Sequence, residues 1–365
     1  MKIIEIIQQL EKLAPPSYQE SYDNAGLLTG NMQWNCTGVI CTLDATEEVI
    51  LEAIAAGCNL VVAHHPIKFS GIKKLTGKSY VEKTIITAIK NDIAIYAIHT
   101  NLDNVLPGVN SRIADQIGLI NRKTLVEKQI NLCKLVVFAP VDASEKIKSA
   151  IFEAGGGVIS NYSDCSFTSN GTGTFKAGDN TNPYVGEKGK RHEENESRIE
   201  VIFPAYLQHT LVKAVLNVHP YEEVAYDVYP LSNTLKDVGS GLIGELSEPC
   251  EEKELLKLLK LNFHLQVIRH TPLTGKMVKT IAVCGGAGSF LTKQAIAAGA
   301  DVFITGDIKY HEFFDAENKL LLADIGHWES EQFTIDLLVD FLVANFPTFA
   351  VQKSKVITNP VNYFI

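Results

Sequence analysis

The sequence has no Cys-x-x-Cys pair among its seven cysteines, which stand at positions 36, 41, 58, 133, 165, 250 and 284. An odd count, mostly inside apolar strand or helix patterns, argues for reduced, buried thiols rather than a disulfide framework. No apolar run approaches the roughly 18 residues needed to span a bilayer. The start, Met1-Lys2-Ile3-Ile4-Glu5, lacks the apolar core and small-residue cleavage site of a secretory signal. Excess positive charge is missing too. A formal net charge of −9 supplies neither electrostatic term that draws proteins to nucleic acid or to anionic lipid. These absences lead us to expect a cytoplasmic protein with no membrane partner, and they disfavour nucleic acid.

What is present describes a folded chain. At 365 residues, 46% hydrophobic and 21% charged, it exceeds one ordinary core, so two domains are expected. Ile3, Ile4, Ile7, Leu10 and Leu13 recur at helical spacing until Pro15-Pro16. Gly38–Leu43 reads as a strand, and Thr46-Glu47-Glu48 opens a helix that ends at Ala56-Gly57. A helix near Val81–Lys90 and the strand Ile93–Ile98 form another unit. Strands alternating with helices at this spacing predict a parallel α/β sheet.

The last third repeats this pattern in its letters. Gly38–Gly57 reads GVICTLDATEEVILEAIAAG and Thr280–Gly299 reads TIAVCGGAGSFLTKQAIAAG, aligned without a gap. The shared offset carries strand, helix, glycine and next strand together, which points to duplication. It sets Gly306 and Asp307 opposite His64 and His65. Between the copies, Cys133–Ala139 and Val158–Ser160 read as strands, with a helix over Asp142–Ala154 between them. Ser163 to about Arg198 is polar and turn-rich, as hairpins and a long exposed loop would be. Ile199–Phe203, Tyr206–Val218 and Glu223–Tyr229 then read as strand, helix and strand, the order of a ferredoxin-like unit. The expected divisions are 1–127 and 233–365 for the core, with 128–232 inserted.

The chemistry gathers at strand ends. Leu60-Val61-Val62-Ala63 reads as a buried parallel strand, closed by His64-His65 and by Pro66, which has no N–H to donate. Such carboxyl ends are where open α/β sheets place ligands. The strand Ile93–Ile98 runs out into His99-Thr100-Asn101-Leu102-Asp103-Asn104. Leu320–Gly326 reads as strand and turn, and His327-Trp328-Glu329-Ser330-Glu331 opens a long helix reaching about Phe346. Four-residue spacing places His327 and Glu331 on one helix face. Three imidazoles and two carboxylates, with no thiolate, suit Zn²⁺, Mn²⁺ or Fe²⁺. Five ligands exceed the three plus water of one catalytic zinc. They fit two ions about 3.5–4 Å apart with a bridging carboxylate and open positions for a hydroxide. We give Glu331 the bridge, His64 and Asp103 one ion, and His65 and His327 the other, since successive strand residues point apart. Ligands from both ends must meet, so the middle segment is an excursion from one core.

The motifs AHHP, HTNLDN, TGDIKYHE and GHWESE, in this order along the chain, resemble the NIF-three-like family, usually labelled GTP cyclohydrolase 1 type 2 homologs. The resemblance covers essentially the whole chain. It implies a duplicated three-layer α/β/α core, a dinuclear metal site and a ring-like homohexamer enclosing a cavity. It also implies that His64, His65, Asp103, His327 and Glu331 are the metal ligands, and that the middle segment is an inserted ferredoxin-like (PII/CutA-like) α+β domain.

Other residues carry weaker signals. His311 is a second catalytic candidate beside Glu331, as a proton shuttle or substrate contact, or else a structural residue. His99 is read as an orienting partner of Asp103 or as packing. Gly285-Gly286-Ala287-Gly288 lacks the full GxGxxG spacing and a GK[ST] ending, so it reads as a tight strand-to-helix turn. His219-Pro220-Tyr221-Glu222-Glu223 could mark a small-ligand or subunit surface by likeness to PII modules, and is read as structural. The function expected is a metal-dependent hydrolase using a metal-bound hydroxide on a small nucleotide-like or phosphorylated substrate. The alternative is a non-catalytic metal-binding regulatory or scaffold protein.

Overall fold

The computed structural model describes residues 1–68, 71–129 and 132–364. Its strands are β1 (Gly26–Thr29), β2 (Val39–Asp44), β3 (Leu60–His65), β4 (Ala94–Ala97), β5 (Ile120–Glu127), β6 (Leu132–Pro140), β7 (Phe167–Lys176), β8 (Arg191–Pro204), β9 (Tyr226–Pro230), β10 (Gly239–Glu251), β11 (Arg269–His270), β12 (Met277–Ala287), β13 (Val302–Gly306), β14 (Leu321–Asp324) and β15 (Val351–Lys353). The chain divides into two compact units, Met1–Lys128 with Asp237–Ile365, and Gln129–Lys236.

The larger unit holds two sheets. The first runs β1-β4-β3-β2-β15, parallel except for β1 at its edge. Its central strands are buried along nearly their whole length, as parallel strands covered on both faces must be. On one face Ile40, Val61, Ala63 and Ile95 pack with Val49, Ile50 and Ala53 of helix Glu47–Ala55 and with Ala88 of helix Tyr80–Lys90. Helix Thr334–Asn345 packs on β2 and β15 and against helix Ile3–Leu13.

The second sheet runs β11-β14-β13-β12-β10-β5, with β12, β13 and β14 parallel. Ala282, Phe303 and Leu322 form a core with Leu291 and with Ala295 of helix Thr292–Ala297. Helices Val109–Ile117 and Glu252–Asn262 pack on β10 and β12. Phe303 is fully buried, so Phe303→Ala is expected to cost about 3–5 kcal/mol in denaturant unfolding.

The duplication is visible in the ladders. In the first sheet Val39, Ile40 and Cys41 pair with Leu60, Val61 and Val62. In the second, Ile281, Ala282 and Val283 pair with Val302, Phe303 and Ile304. Every residue in one set maps onto the other at the single offset seen in the letters. Both faces of these strands are buried, so a one-residue slip would exchange the side chains packed under each helix layer.

The smaller unit is a four-stranded antiparallel sheet, β7-β8-β6-β9, with helix Ser144–Glu153 after β6 and helix Gln208–Val218 after β8. That is ferredoxin-like topology. One expectation fails here. Val158–Ser160 is not a strand; it lies in a turn closed by the bridge of Ile159 with Tyr162. The sheet's second strand is β7, an exposed edge strand. Its Thr, Ser, Asn and Gly residues carry no apolar alternation for a sequence reading to detect. Among the described residues no helix is long and apolar enough to cross a membrane.

Candidate metal centre

Strand β3 delivers His64 and His65 at its carboxyl end, His64 fully buried. Strand β4 gives way to the single helical turn Thr100–Asp103. Strand β14 leads to the short helix His327–Glu331, which sits apart from helix Thr334–Asn345 rather than opening one long helix. Five side chains from these three strand ends meet in the larger unit.

Each imidazole is held from behind. His64 Nδ1 donates to the Ile98 carbonyl, His65 Nδ1 to Asp44 and His327 Nδ1 to Asp307, each at 2.8 Å. Such contacts fix ring orientation and turn the Nε2 atoms inward. His65 Nε2 lies 3.0 Å and His327 Nε2 3.2 Å from Glu331 Oε2, with 3.3 Å between the two nitrogens. His64 Nε2 lies 3.8 Å from Glu331 Oε1 and 3.6 Å from Asp103 Oδ1. The two oxygens of one carboxylate therefore face two separate donor sets.

These spacings suit a metal better than protons. Among the described residues His64 Nε2 and Asp103 Oδ1 are buried with no hydrogen-bond partner, which costs about 1–3 kcal/mol for each unsatisfied group. Their 3.6 Å separation exceeds a hydrogen bond. It is close to the roughly 3.3–3.5 Å between neighbouring ligands that zinc bond lengths of about 2.0–2.2 Å imply in a tetrahedral site. Two imidazole nitrogens facing each other at 3.3 Å are likewise a poor pair for one proton. The His/Asp/Glu groups here can hold a metal ion.

The charges are strongly linked. Burial would depress the His65 imidazole, but the Glu331 charge and the Asp44 hydrogen bond outweigh it and lift its pKa to about 10. His327 rises to about 9 against the same penalty, through Glu331 and Asp307. Burial likewise opposes ionisation of Glu331, yet the surrounding imidazoles hold its carboxyl well below the usual range. Burial raises Asp103 and outweighs its attraction to His64.

Sequence reasoning gave no role to Asp44 or Asp307, and pointed to Asp23 only through the polar loop Ser21–Gly26 as a stretch that could line a site. Asp44 and Asp307 sit at the ends of β2 and β13, a signal shared with the candidate ligands themselves. Asp23 accepts from His99 Nδ1 at 2.9 Å and from the Thr100 backbone and hydroxyl. His99 packs edge-on against His64 and His65 with ring centroids 5.3 and 5.4 Å away. His311 is exposed, beside Tyr310 and Phe314, and outside the cluster. The glycine turn after β12 serves the site. Gly286 has φ +61°, and a Cβ there would come within 2.5 Å of Glu331 Oε1. Gly286→Ala is expected to weaken zinc affinity roughly tenfold, about 1.4 kcal/mol, because the added Cβ would push the Glu331 carboxylate off its position.

The cluster opens on two sides. A cavity of about 860 Å³ includes His65, His99 and His327 with Lys68, Arg269, Trp328 and Tyr363. A second, of about 440 Å³, includes Asp103, Glu331, Tyr22 and Asn110.

Two α/β sheets in one unit, with three histidines and two carboxylates gathered at strand ends, define an α/β protein equipped to hold metal. The chain belongs to the Duf34/NIF3 (NGG1p interacting factor 3) family, whose model matches residues 1–360. It is 39% identical over 324 residues to the GTP cyclohydrolase 1 type 2 homolog of Halalkalibacterium halodurans, covering 88% of this chain and 87% of that one. A protein of the same name from Staphylococcus epidermidis is 33% identical over 367 residues, covering 100% of both. The crystal structure of a Bacillus cereus protein related to NIF3 matches with a TM-score of 0.87 at 37% identity, over 100% of this chain and 99% of that one.

Proposed function

We propose that His64, Asp103 and Glu331 hold one divalent ion, that His65, His327 and Glu331 hold a second, and that the protein is a metal-dependent hydrolase. The observation that carries this reading is Glu331, whose Oε1 faces His64 and Asp103 while Oε2 faces His65 and His327. Nitrogen and oxygen donors without thiolate suit zinc, with manganese or iron as alternatives. Two such ions would supply water activation and polarisation of the substrate.

The chain's own residues do the rest. Asp44, Asp307 and the Ile98 carbonyl hold the three rings in place. The 860 Å³ cavity beside His65 and His327 is within the range for a small-molecule site. Trp328 and Tyr363 offer flat faces and Lys68 a positive charge to a nucleotide-like or phosphorylated substrate. No part is assigned to His311. By family likeness the working form is a cytoplasmic homohexamer.

The test is a screen of zinc-, manganese- and iron-loaded protein against nucleotides and phosphoesters, with Glu331→Ala as control. Turnover that follows metal content and disappears in the variant is expected. Turnover that survives in Glu331→Ala would overturn the mechanism. Two bound ions without turnover on any substrate would favour the scaffold alternative.

A further inference from the structure

The smaller unit has a cavity of its own, of about 340 Å³, formed wholly from residues between Phe138 and Ala225. Rings of Phe138, Phe175, Tyr184 and Tyr221 line it. Tyr184 and Tyr221 stand 6.0 Å apart between centroids. Tyr221 is braced from behind by His219, whose Nδ1 accepts from the Tyr221 backbone at 3.1 Å while Nε2 donates to the Phe138 carbonyl at 3.0 Å. Those two bonds require one neutral tautomer, and burial lowers the His219 pKa accordingly.

The polar part of the lining is acidic. The Tyr221 hydroxyl donates to Glu196 Oε1 at 3.0 Å. The other Glu196 oxygen lies so close to β7 that a Cβ on Gly173 would fall 2.1 Å from it, so a glycine is required for this carboxylate position. Glu222 accepts from the Asn182 backbone at 2.8 Å, tying down the loop that carries Tyr184. Among the described lining residues Glu223 adds a third carboxylate against the ammonium of Lys176, while the Arg198 guanidinium stands over the Phe138 ring at 5.9 Å.

Aromatic faces carry negative potential and attract cations, the more so beside a carboxylate and away from bulk water. An anion would meet three carboxylates here. A neutral apolar molecule would cover Glu196 without pairing its charge. We propose that this cavity binds a small organic cation, an alkylammonium or quaternary ammonium compound, with its charge against Glu196 and the faces of Tyr184 and Tyr221. The sequence reading of His219–Glu223, structural with a small-ligand surface as its alternative, is thereby moved to the alternative: His219 braces a ligand wall.

Full-length protein would be titrated by calorimetry and saturation-transfer NMR with choline and n-butylammonium, and with 3,3-dimethylbutan-1-ol, the uncharged isostere of choline. Saturable binding of at least one cation is expected, with the alcohol roughly tenfold weaker or more. Glu196→Gln should weaken the cation by a similar factor. Tyr184→Ala should weaken it severalfold, and because Tyr184 is 57% exposed that variant does not depend on core packing. Equal binding of alcohol and choline, unchanged affinity in Tyr184→Ala, or saturation by neither cation would each overturn the proposal.

Discussion

Glu331→Ala protein, reloaded with zinc and dialysed, is expected to retain almost no metal, whereas Asp103→Ala and His327→Ala each retain about one ion per chain. A zinc site ordinarily needs at least three protein ligands. Without Glu331 both donor sets fall to two, His64 with Asp103 and His65 with His327. Removing Asp103 or His327 cripples only one set. Elemental analysis by plasma mass spectrometry reads the difference directly. Glu331 is 3% exposed and surrounded by imidazoles, so the shape-preserving Glu331→Gln belongs beside it to separate lost ligation from lost packing. Two ions in Glu331→Ala would sink the bridging role.

Metal removal should make stability depend steeply on pH in the alkaline range. In the ion-free chain His65 and His327 have folded pKa values of about 10 and about 9, above the unfolded value of about 6.5. A raised pKa means the folded state holds the proton more tightly. This contribution is complete below about pH 6.5 and is lost as pH rises through about 9 and 10. A bound ion replaces both protons, so the loaded chain escapes this loss while its metal affinity climbs with pH. The gap in Tm between zinc-loaded and chelator-treated protein should widen from pH 6.5 to 10. At pH 7, zinc binding should release about two protons, measurable as a buffer-dependent calorimetric enthalpy. A constant gap with no proton release would show that the rings enter the site uncharged.

Much of the centre was legible in the letters because its ligands sit where periodicity changes. His64 and His65 end an apolar run, and His327 and Glu331 share a helical spacing after another. The 242-residue offset foretold the matching registers of β2–β3 and β12–β13. Asp44 and Asp307 were not legible, since an acidic residue after a strand looks the same whether it faces water or an imidazole. Only the fold sets Asp44 against His65 and Asp307 against His327. The edge strand β7 was missed because nothing apolar alternates along it. Of the cavity at Tyr221 only the stretch His219–Glu223 was noticed, because the other walls come from separate stretches of the smaller unit.

Glu127 at the end of β5 pairs directly with Gly239 at the start of β10, and Lys128 donates to the Val238 carbonyl. From the standpoint of the ligand-bearing sheets, everything between these residues is the tip of a β-hairpin. Closing a hairpin through a longer excursion costs little, about 0.6 kcal/mol for each doubling of its length. The inserted module is thus a graft at a permissive junction. Lengthening, shortening or exchanging it would leave the register of the histidine-bearing strands untouched, so the larger unit is expected to tolerate change there.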